Sequence, residues 1–271
     1  MPPGAGQGRA ALRPPTGQAR VEPTGMSVLS GLEAVVLDRK RPMAVQVYEF
    51  LRKMIVTLEL KPGETISKAA IAAALGVSQT PVREAILRME EEGLVDVVPQ
   101  SRTSVSLLDL RQARELQLMR VALEAELAAL LAKDVSDAQL AELSGHLEAQ
   151  GQALDRDDFE GFAQADAAFH EAQYRFCGVD GLWGLVLARR GHMERLRRLY
   201  LPISDKERLT LNEHEAMLDA IRAGDGERAG KAVRHHLSRT FQFTAEIMER
   251  HPDYFVPGAQ KWLEIAQRFP D

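Results

Sequence analysis

One aspartate and three histidines in the later part of this 271-residue chain are of the residue types that bind transition metals. Asp166 and His170 are four residues apart, so they share one face of a helix. His214 and His236 occur in two later helical patterns. A carboxylate with three neutral imidazoles suits Zn²⁺, Ni²⁺ or a similar divalent transition metal. Spacing alone does not bring these helices together, so separately buried, hydrogen-bonded side chains remain the alternative at this point.

A second set of residues could bind a small organic acid. An internal arginine can hold a carboxylate through two parallel hydrogen bonds. His192 and Arg195 are three apart and share a helix face, and Arg120 lies in an earlier helix. These three are candidate effector-binding residues; the alternative is a solvated basic helix face. His146 and His251 fit no such pattern and are expected at the surface.

The stretch that follows Gly76 has the pattern of the turn and recognition helix of a helix-turn-helix. Gly76 permits a left-handed exit from one helix. Ser78 or Thr80 can cap the next, with Pro81 in its first turn. Apolar residues then recur at helical spacing, at Val82, Ile86 and Met89. Polar side chains on the other face are expected to reach the DNA major groove: Ser78, Gln79, Thr80 and Arg83.

The elements around this turn complete a winged helix-turn-helix. An apolar stripe predicts a helix over residues 43–58, and Ser67 can cap a short one before Gly76. Strands are predicted at 94–98 and 104–107, joined by a polar turn that places Arg102 on the wing beside DNA. A small helical protein-binding module is the competing interpretation of this segment.

The remainder of the chain has helical patterns and no strand signals. About six helices are predicted, at residues 109–133, 137–155, 157–177, 181–200, 205–223 and 225–250. The expected fold is therefore mostly α. The expected units are a disordered extension (1–42), the winged domain (43–106), an all-helical effector, metal-binding and dimerisation domain (107–250), and a tail with one short helix (251–271).

Composition favours a cytoplasmic, DNA-associated protein. No apolar run approaches the roughly 20 residues needed to cross a bilayer. The single cysteine, Cys177, excludes an internal disulfide and is expected to be a small buried hydrophobic residue. The net charge is −5, but it is uneven: residues 43–106 carry seven basic and eight acidic side chains. DNA affinity is therefore expected to depend on a few well-placed cations, the N-terminal arm and dimerisation. Residues 1–26 lack apolar periodicity, and Met26 is a possible alternative start.

Residues 45–107 resemble the DNA-binding domain of the GntR family of bacterial transcription regulators. The matching runs are Pro62-Gly63, Leu75-Gly76-Val77-Ser78, Thr80-Pro81-Val82-Arg83-Glu84-Ala85 and Glu92-Gly93-Leu94-Val95. Two departures stand out. The family usually has arginine where this chain has Gln79, which implies an altered base preference. It often has glycine in the wing near Arg102, which puts the usual minor-groove contact in doubt.

Residues 110–240 resemble the FCD-type effector domain of the FadR branch of that family, most closely its six-helix, VanR-like subgroup. The matching runs are Glu115-Leu116, Arg120-Val121-Ala122-Leu123-Glu124, Asp166-Ala167-Ala168-Phe169-His170, Glu213-His214-Glu215-Ala216-Met217 and Ala232-Val233-Arg234-His235-His236-Leu237. Metal-binding members use an aspartate, a histidine four residues later and two further histidines 22 apart. The resemblance therefore implies a site made by Asp166, His170, His214 and His236, and it selects His236 over His235.

The predicted function is a homodimeric transcription regulator, acting as a repressor on a near-palindromic double-stranded operator. A small carboxylate-type metabolite bound at the divalent-metal site would control its DNA affinity. The alternative is a metal-dependent enzyme acting on small organic acids, with a fused DNA-binding arm. A protein-interaction adaptor is a third possibility. No membrane partner is expected.

Overall fold

The computed structural model describes residues 37–200 and 206–268. The possible start at Met26 and residues 1–36 of the predicted extension (1–42) lie outside the described residues. The N-terminal unit consists of three helices and a hairpin: α1 (Met43–Val56), α2 (Lys68–Ala74), α3 (Gln79–Glu91), β1 (Val95–Val98) and β2 (Arg102–Val105). The strands are antiparallel, with Val95 opposite Val105. The predicted winged helix-turn-helix is confirmed.

Periodic apolar residues form the core of this unit. Val47, Leu51 and Ile55 of α1 pack with Val82 and Met89 of α3, and all five side chains are buried completely. Two predicted boundaries were wrong. Helix α1 stops at Val56, because Leu58 adopts a positive φ of 64° that ends the helix. Strand β2 begins two residues earlier than expected, at Arg102.

Gly76 has the left-handed backbone that the turn requires, with φ of 63°. It separates α2 from α3, and its neighbour Val77 donates a backbone hydrogen bond to Ala72 O that closes the end of α2. An L-residue at this position would be strained. The turn therefore fixes the angle at which α3 leaves the domain.

The second unit is all-helical, as predicted. Seven α-helices lie between Leu110 and Ser238 in the part that the structure describes: α4 (Leu110–Lys133), α5 (Asp137–Leu154), α6 (Phe159–Phe176), α7 (Asp180–Arg189), α8 (Gly191–Tyr200), α9 (Lys206–Arg222) and α10 (Gly226–Ser238). Polar caps define several starts. Asp109 accepts from the backbone N–H of Arg111, and Ser136 forms a reciprocal capping box with Gln139.

Two long predicted helices are each divided. The one expected over 181–200 breaks before Gly191, which packs so closely on Leu94 that a Cβ there would collide with that side chain. The one expected over 225–250 breaks after Ser238 into a short 3₁₀ turn, followed by α11 (Thr244–Arg250). Phe241 in that turn is buried in a cluster with Leu108, which redirects the chain. Both breaks serve packing between distant segments.

The C-terminal segment packs beside the start of α4. Phe255 forms a parallel bridge with Leu108, and α12 (Ala259–Arg268) buries Leu263 in the same cluster as Leu110. Cys177 is half-buried between two apolar clusters, and burial raises the pKa of its thiol. None of the helices within the described ranges combines the length and apolarity that a bilayer crossing requires.

Candidate metal centre and nucleic-acid interface

Three imidazoles meet inside the helical unit. His170 comes from α6, His214 from α9 and His236 from α10, and their candidate ligand nitrogens all lie within 4.8 Å of one another. The Nε2 atoms of His214 and His236 are 3.3 Å apart. His170 and His214 are buried, and His236 is nearly so. The tertiary fold thus brings together the histidines that sequence spacing alone could not.

Asp166 supplies an oxygen to the same point. Its Oδ1 lies 3.8 Å from His214 Nε2 and has no hydrogen-bond partner, although it is buried. Its Oδ2 accepts a hydrogen bond from Arg197 of α8 at 2.7 Å. The arginine therefore holds one carboxylate oxygen and leaves the other directed at the imidazoles.

Each imidazole has an acceptor beside its outer nitrogen. The Nδ1 contacts are Glu124 Oε2 at 2.9 Å from His170, Gln150 Oε1 at 2.9 Å from His214, and Glu213 Oε2 at 2.8 Å from His236. With Nδ1–H directed toward Gln150 and Glu213, the rings of His214 and His236 present the lone pair of Nε2 inward. His170 Nδ1 lies close to Glu124 but forms no hydrogen bond with it. Such outer carboxylates and amides are the usual means of fixing the tautomer of metal-binding histidines.

Burial and charge keep these groups in the protonation states that bind metal. Burial lowers the pKa of His214 well below 6.5, and the rings of His236 and His170 lower it further. Burial also lowers the pKa of His236, which Glu213 only partly opposes. Burial raises the pKa of Asp166, but Arg197 and His170 outweigh it, so the net pKa is below its usual value. These shifts favour the neutral form of His214 and His236 and the ionised form of Asp166.

The residues present fit a divalent transition metal. If Nδ1–H is directed outward in both rings, the Nε2 lone pairs of His214 and His236 face each other 3.3 Å apart, and a cation between them relieves their repulsion. The Nε2 of His170 and Oδ1 of Asp166 are buried without hydrogen-bond partners, and such groups need an explanation in a folded protein. A metal ion at their centre satisfies all four atoms. Nitrogen and carboxylate ligands of this kind suit Zn²⁺ or Ni²⁺.

A cavity of about 580 Å³ opens beside this cluster. Asp166, His170 and His236 line one part of it, and Arg52 and Val56 of α1 line another. The cavity therefore lies between the helical unit and the DNA-binding unit. A ligand that fills it would contact both.

Of the three predicted effector-binding residues, only Arg120 lies at the cavity. Its Nε donates to Glu124 Oε1 at 2.6 Å. Arg195 is fully buried and donates to the Ser106 carbonyl at 2.6 Å, while His192 Nδ1 accepts from the Asp109 backbone N–H at 3.1 Å. The structure brings His192 and Arg195 to the base of the wing instead, because their helix face turns toward β2.

The two remaining histidines predicted at the surface are half-buried and separate from the cluster. His146 Nε2 lies 3.6 Å from Glu142, one turn away, and His251 stacks on Tyr254 with ring centroids 4.9 Å apart. Neither has a contact with the candidate metal ligands.

Helix α8 joins the centre to the DNA-binding unit. At one end of it Arg197 holds Asp166, and one turn earlier Glu194 binds Arg52 of α1 at 2.6 Å. Arg52 also lies 3.6 Å from Glu92 at the end of α3. The Tyr48 hydroxyl donates to the same Glu92 carboxylate at 2.7 Å. Helix α8 thus connects the candidate ligand Asp166 with the ion pairs at the end of the recognition helix.

Sequence reasoning missed the residues that support the centre. Glu124, Gln150, Glu213 and Arg197 lie on four different helices. Two signals were available: Arg120 and Glu124 are four apart and can pair on one helix face, and Glu213 directly precedes His214. Nothing in the sequence pattern marks Gln150 or Arg197 as a neighbour of the cluster.

The recognition helix exposes the polar residues that were predicted to contact DNA. Ser78, Gln79, Thr80 and Arg83 are all exposed, and Val82 beside them is buried in the core. Ser78 occupies the N-cap position without a side-chain bond to the helix. Arg102 is exposed at the start of β2. These side chains lie on the surface at which a winged helix reads DNA.

Comparison with known proteins matches both units. Residues 43–105 match the family model of bacterial regulatory proteins of the gntR family, and residues 115–239 match the FCD domain. An uncharacterized HTH-type transcriptional regulator in an unstable DNA locus of Streptomyces ambofaciens is 36% identical over 79% of this chain and 89% of its own length. The HTH-type transcriptional repressor RspR of Escherichia coli (strain K12) is 25% identical over 81% of this chain and 96% of its own length.

Solved structures show the same architecture. E. coli McbR/YncC superimposes with a TM-score of 0.62 at 26% identity, covering 78% of this chain and 99% of that one. A GntR regulator from Rhodococcus sp. RHA1 gives a TM-score of 0.60 at 23% identity, covering 76% of this chain and 97% of that one. The second similarity concerns the fold alone.

Proposed function

We propose that a metal-bound metabolite controls the DNA affinity of this protein. The chain belongs to the GntR family of bacterial regulatory proteins and is a transcriptional regulator with an FCD domain. In this proposal Asp166, His170, His214 and His236 hold one Zn²⁺ or Ni²⁺ ion. A small carboxylate bound at that ion changes the affinity for the operator. The matched domains and relatives are regulators, so the chain is not an enzyme.

The observation that carries the proposal is the convergence of four candidate ligand side chains, three of them buried, beside a cavity that the DNA-binding unit also lines. When bound, the ion would supply positive charge and open coordination positions for carboxylate oxygens. Arg197, which already orients Asp166, and Arg120 stand at the same cavity. Arg197 contacts Asp166 through Nη1 only, so its remaining guanidinium N–H groups suit a carboxylate, whereas Arg120 is paired with Glu124.

Control of DNA binding needs a ligand that interacts differently with two arrangements of the protein. A ligand between α1 and the metal cluster meets that condition, because α1 belongs to the DNA-binding core while the cluster belongs to the helical unit. Coupling of about 1–3 kcal/mol would change operator affinity roughly 5- to 150-fold.

On the DNA side, Ser78, Gln79, Thr80 and Arg83 are proposed to enter the major groove, and Arg102 to contact DNA from the wing. Regulators of this family bind DNA and typically act as dimers. A homodimer would read a near-palindromic operator, since the two half-sites follow the two-fold axis of the protein. We propose repression in the cytoplasm as its action.

The test is operator binding by fluorescence anisotropy, with a duplex selected from a random pool by the wild-type protein. A panel of small carboxylic acids is titrated into Zn²⁺-loaded and metal-stripped wild type, Asp166→Ala/His214→Ala and the control His146→Ala. We expect a response in loaded wild type and in the control only. An undiminished response in the double variant would show that the acid acts elsewhere.

A further inference from the structure

The cavity beside the metal cluster has a second, apolar part. Trp183 and Val186 of α7 line it, with Met193 of α8 and Phe162 and Ala167 of α6. Trp183 and Val186 belong to a buried apolar cluster, against which Met193 and Ala167 are packed. Phe162, Trp183 and Val186 are themselves buried, so the wall is the edge of the hydrophobic core that borders the cavity.

The polar and apolar parts adjoin on one helix face. Ala163, Asp166, Ala167 and His170 follow one another at helical spacing on α6, and all four line the cavity. A molecule with its carboxylate near Asp166 and His170 would therefore lay its remaining atoms along the apolar wall. The volume of about 580 Å³ lies in the range that accommodates drug-sized ligands. The cavity is therefore larger than a short hydroxy acid needs.

Several cations along this wall already have partners. Arg120 binds Glu124 at 2.6 Å, and Arg190 lies 2.7 Å from Glu194, which also binds Arg52. A second carboxylate on the ligand would have to compete with these internal pairs. Arg198 lines the cavity without an ion pair among the described residues, so recognition of a second carboxylate is the competing possibility.

From this juxtaposition we propose that the effector is an amphipathic monocarboxylate. Its carboxylate lies at the metal-binding end, and its aliphatic or aromatic body packs on Phe162, Trp183, Val186 and Met193. The far end of that body contacts α1 near Val56, which also lines the cavity. The proposal rests on the proposed function and specifies the chemical class of its ligand.

The test is a chain-length series measured by calorimetry on the Zn²⁺-loaded protein, with acetate, butanoate, hexanoate and octanoate. Burial of one methylene is worth about 0.8 kcal/mol, so affinity should rise roughly fourfold per methylene until the wall is covered. Octanedioate is compared with octanoate. Tighter binding of the diacid, or an affinity that does not change with chain length, would overturn the monocarboxylate proposal.

Two variants locate the effect. Ala167→Leu should fill part of the wall, so the increase with chain length should shrink while acetate binding is kept. Leu185→Ala, on the same helix as Trp183 but 52% exposed, is the matched control and should behave as wild type. Equal series in wild type and Ala167→Leu would place the acids elsewhere and contradict the proposal.

Failure of the ligand class and failure of the metal site are distinguishable. Zn²⁺ binding is first measured by itself in the metal-stripped protein. If Zn²⁺ does not bind but long acids do, the apolar subsite stands and the proposed metal control falls. If Zn²⁺ and acetate bind and chain length has no effect, only the ligand class is wrong. If Zn²⁺ binds and no acid does, the metal site stands and the carboxylate effector is overturned; if neither binds, both are overturned.

Discussion

His214 is the residue at which the metal site is tested most directly, because its ring is fully buried and contacts both neighbouring imidazoles. His214→Ala should abolish stoichiometric Zn²⁺ binding. At free metal one hundredfold above its dissociation constant, binding stabilises the native state by about 2.7 kcal/mol. Chelator should therefore lower the melting temperature of the wild type but not of the variant.

The matched control is His146→Ala, which should retain both the metal and the response to chelator. Truncation of a buried ring also costs packing energy, so a lower melting temperature alone decides nothing. The decisive readout is the difference with and without chelator. A wild type that neither binds Zn²⁺ nor responds to chelator would contradict the proposed metal site.

The same buried rings predict how the stability of the metal-free protein depends on pH. The pKa values of His214 and His236 are lowered in the folded state, so between those values and about 6.5 the unfolded chain binds more protons. The contribution of these two histidines to the free energy of unfolding is fully present above pH 6.5 and is lost as the pH falls through that window. Urea unfolding at pH 7.5 and 5.5 should show this loss, and His214→Gln should reduce it. Equal stability of the wild type at both pH values would contradict the buried neutral state.

At the scale of elements, helix α8 makes contacts in two directions: Arg197 binds the candidate metal ligand Asp166, and Glu194 binds Arg52 of the DNA-binding unit. Glu194→Gln should weaken this connection while leaving the ligands intact. We expect unchanged Zn²⁺ affinity and a smaller effect of the acid on operator affinity. Glu160→Gln, an exposed substitution that also lines the cavity, is the control. Full coupling in Glu194→Gln would show that α8 is not the route.

Elements with a regular pattern were predictable from sequence, and their mutual packing was not. The i, i+4 spacing placed Asp166 and His170 on one face, and Gly76 with Pro81 marked the start of the recognition helix. Helix α8 illustrates the limit. Its pattern shows that His192 and Arg195 share a face, but only the fold shows that this face packs on the wing. Gln150 was missed for the same reason, since its link to His214 spans 64 residues.

Arg195 provides a test at the scale of the whole molecule, since it is fully buried where the two units meet and donates to Ser106. Hydrogen bonds from a charged group contribute about 1.5–3 kcal/mol each. Arg195→Met should retain much of the buried volume and lose these bonds. We expect calorimetry to show one thermal transition for the wild type and a broadened or divided transition for the variant. A sharp, unshifted transition would mean that the junction does not depend on this arginine.

Recognition of the operator is a property of the whole molecule, and substitution of the single side chain Arg83 tests it. Arg83 is exposed near the N-terminus of α3, where a winged helix meets base edges. Arg83→Ala should weaken operator binding by about 1–3 kcal/mol. Arg88 is the matched control on the same helix, because it lies nearer the C-terminal end, where it stacks 3.7 Å above the Tyr48 ring and pairs with Glu92. Anisotropy titrations over a range of salt, on the selected operator and on a scrambled duplex, distinguish two kinds of contact. If Arg83 contacts a base, Arg83→Ala should lose more affinity for the operator than for the scrambled duplex. If Arg83 contacts a phosphate, the variant should lose affinity for both duplexes, and its binding should depend less on salt. If folded Arg83→Ala binds the operator as tightly as wild type while Arg88→Ala does not, the reading face of α3 has been assigned to the wrong side of the helix.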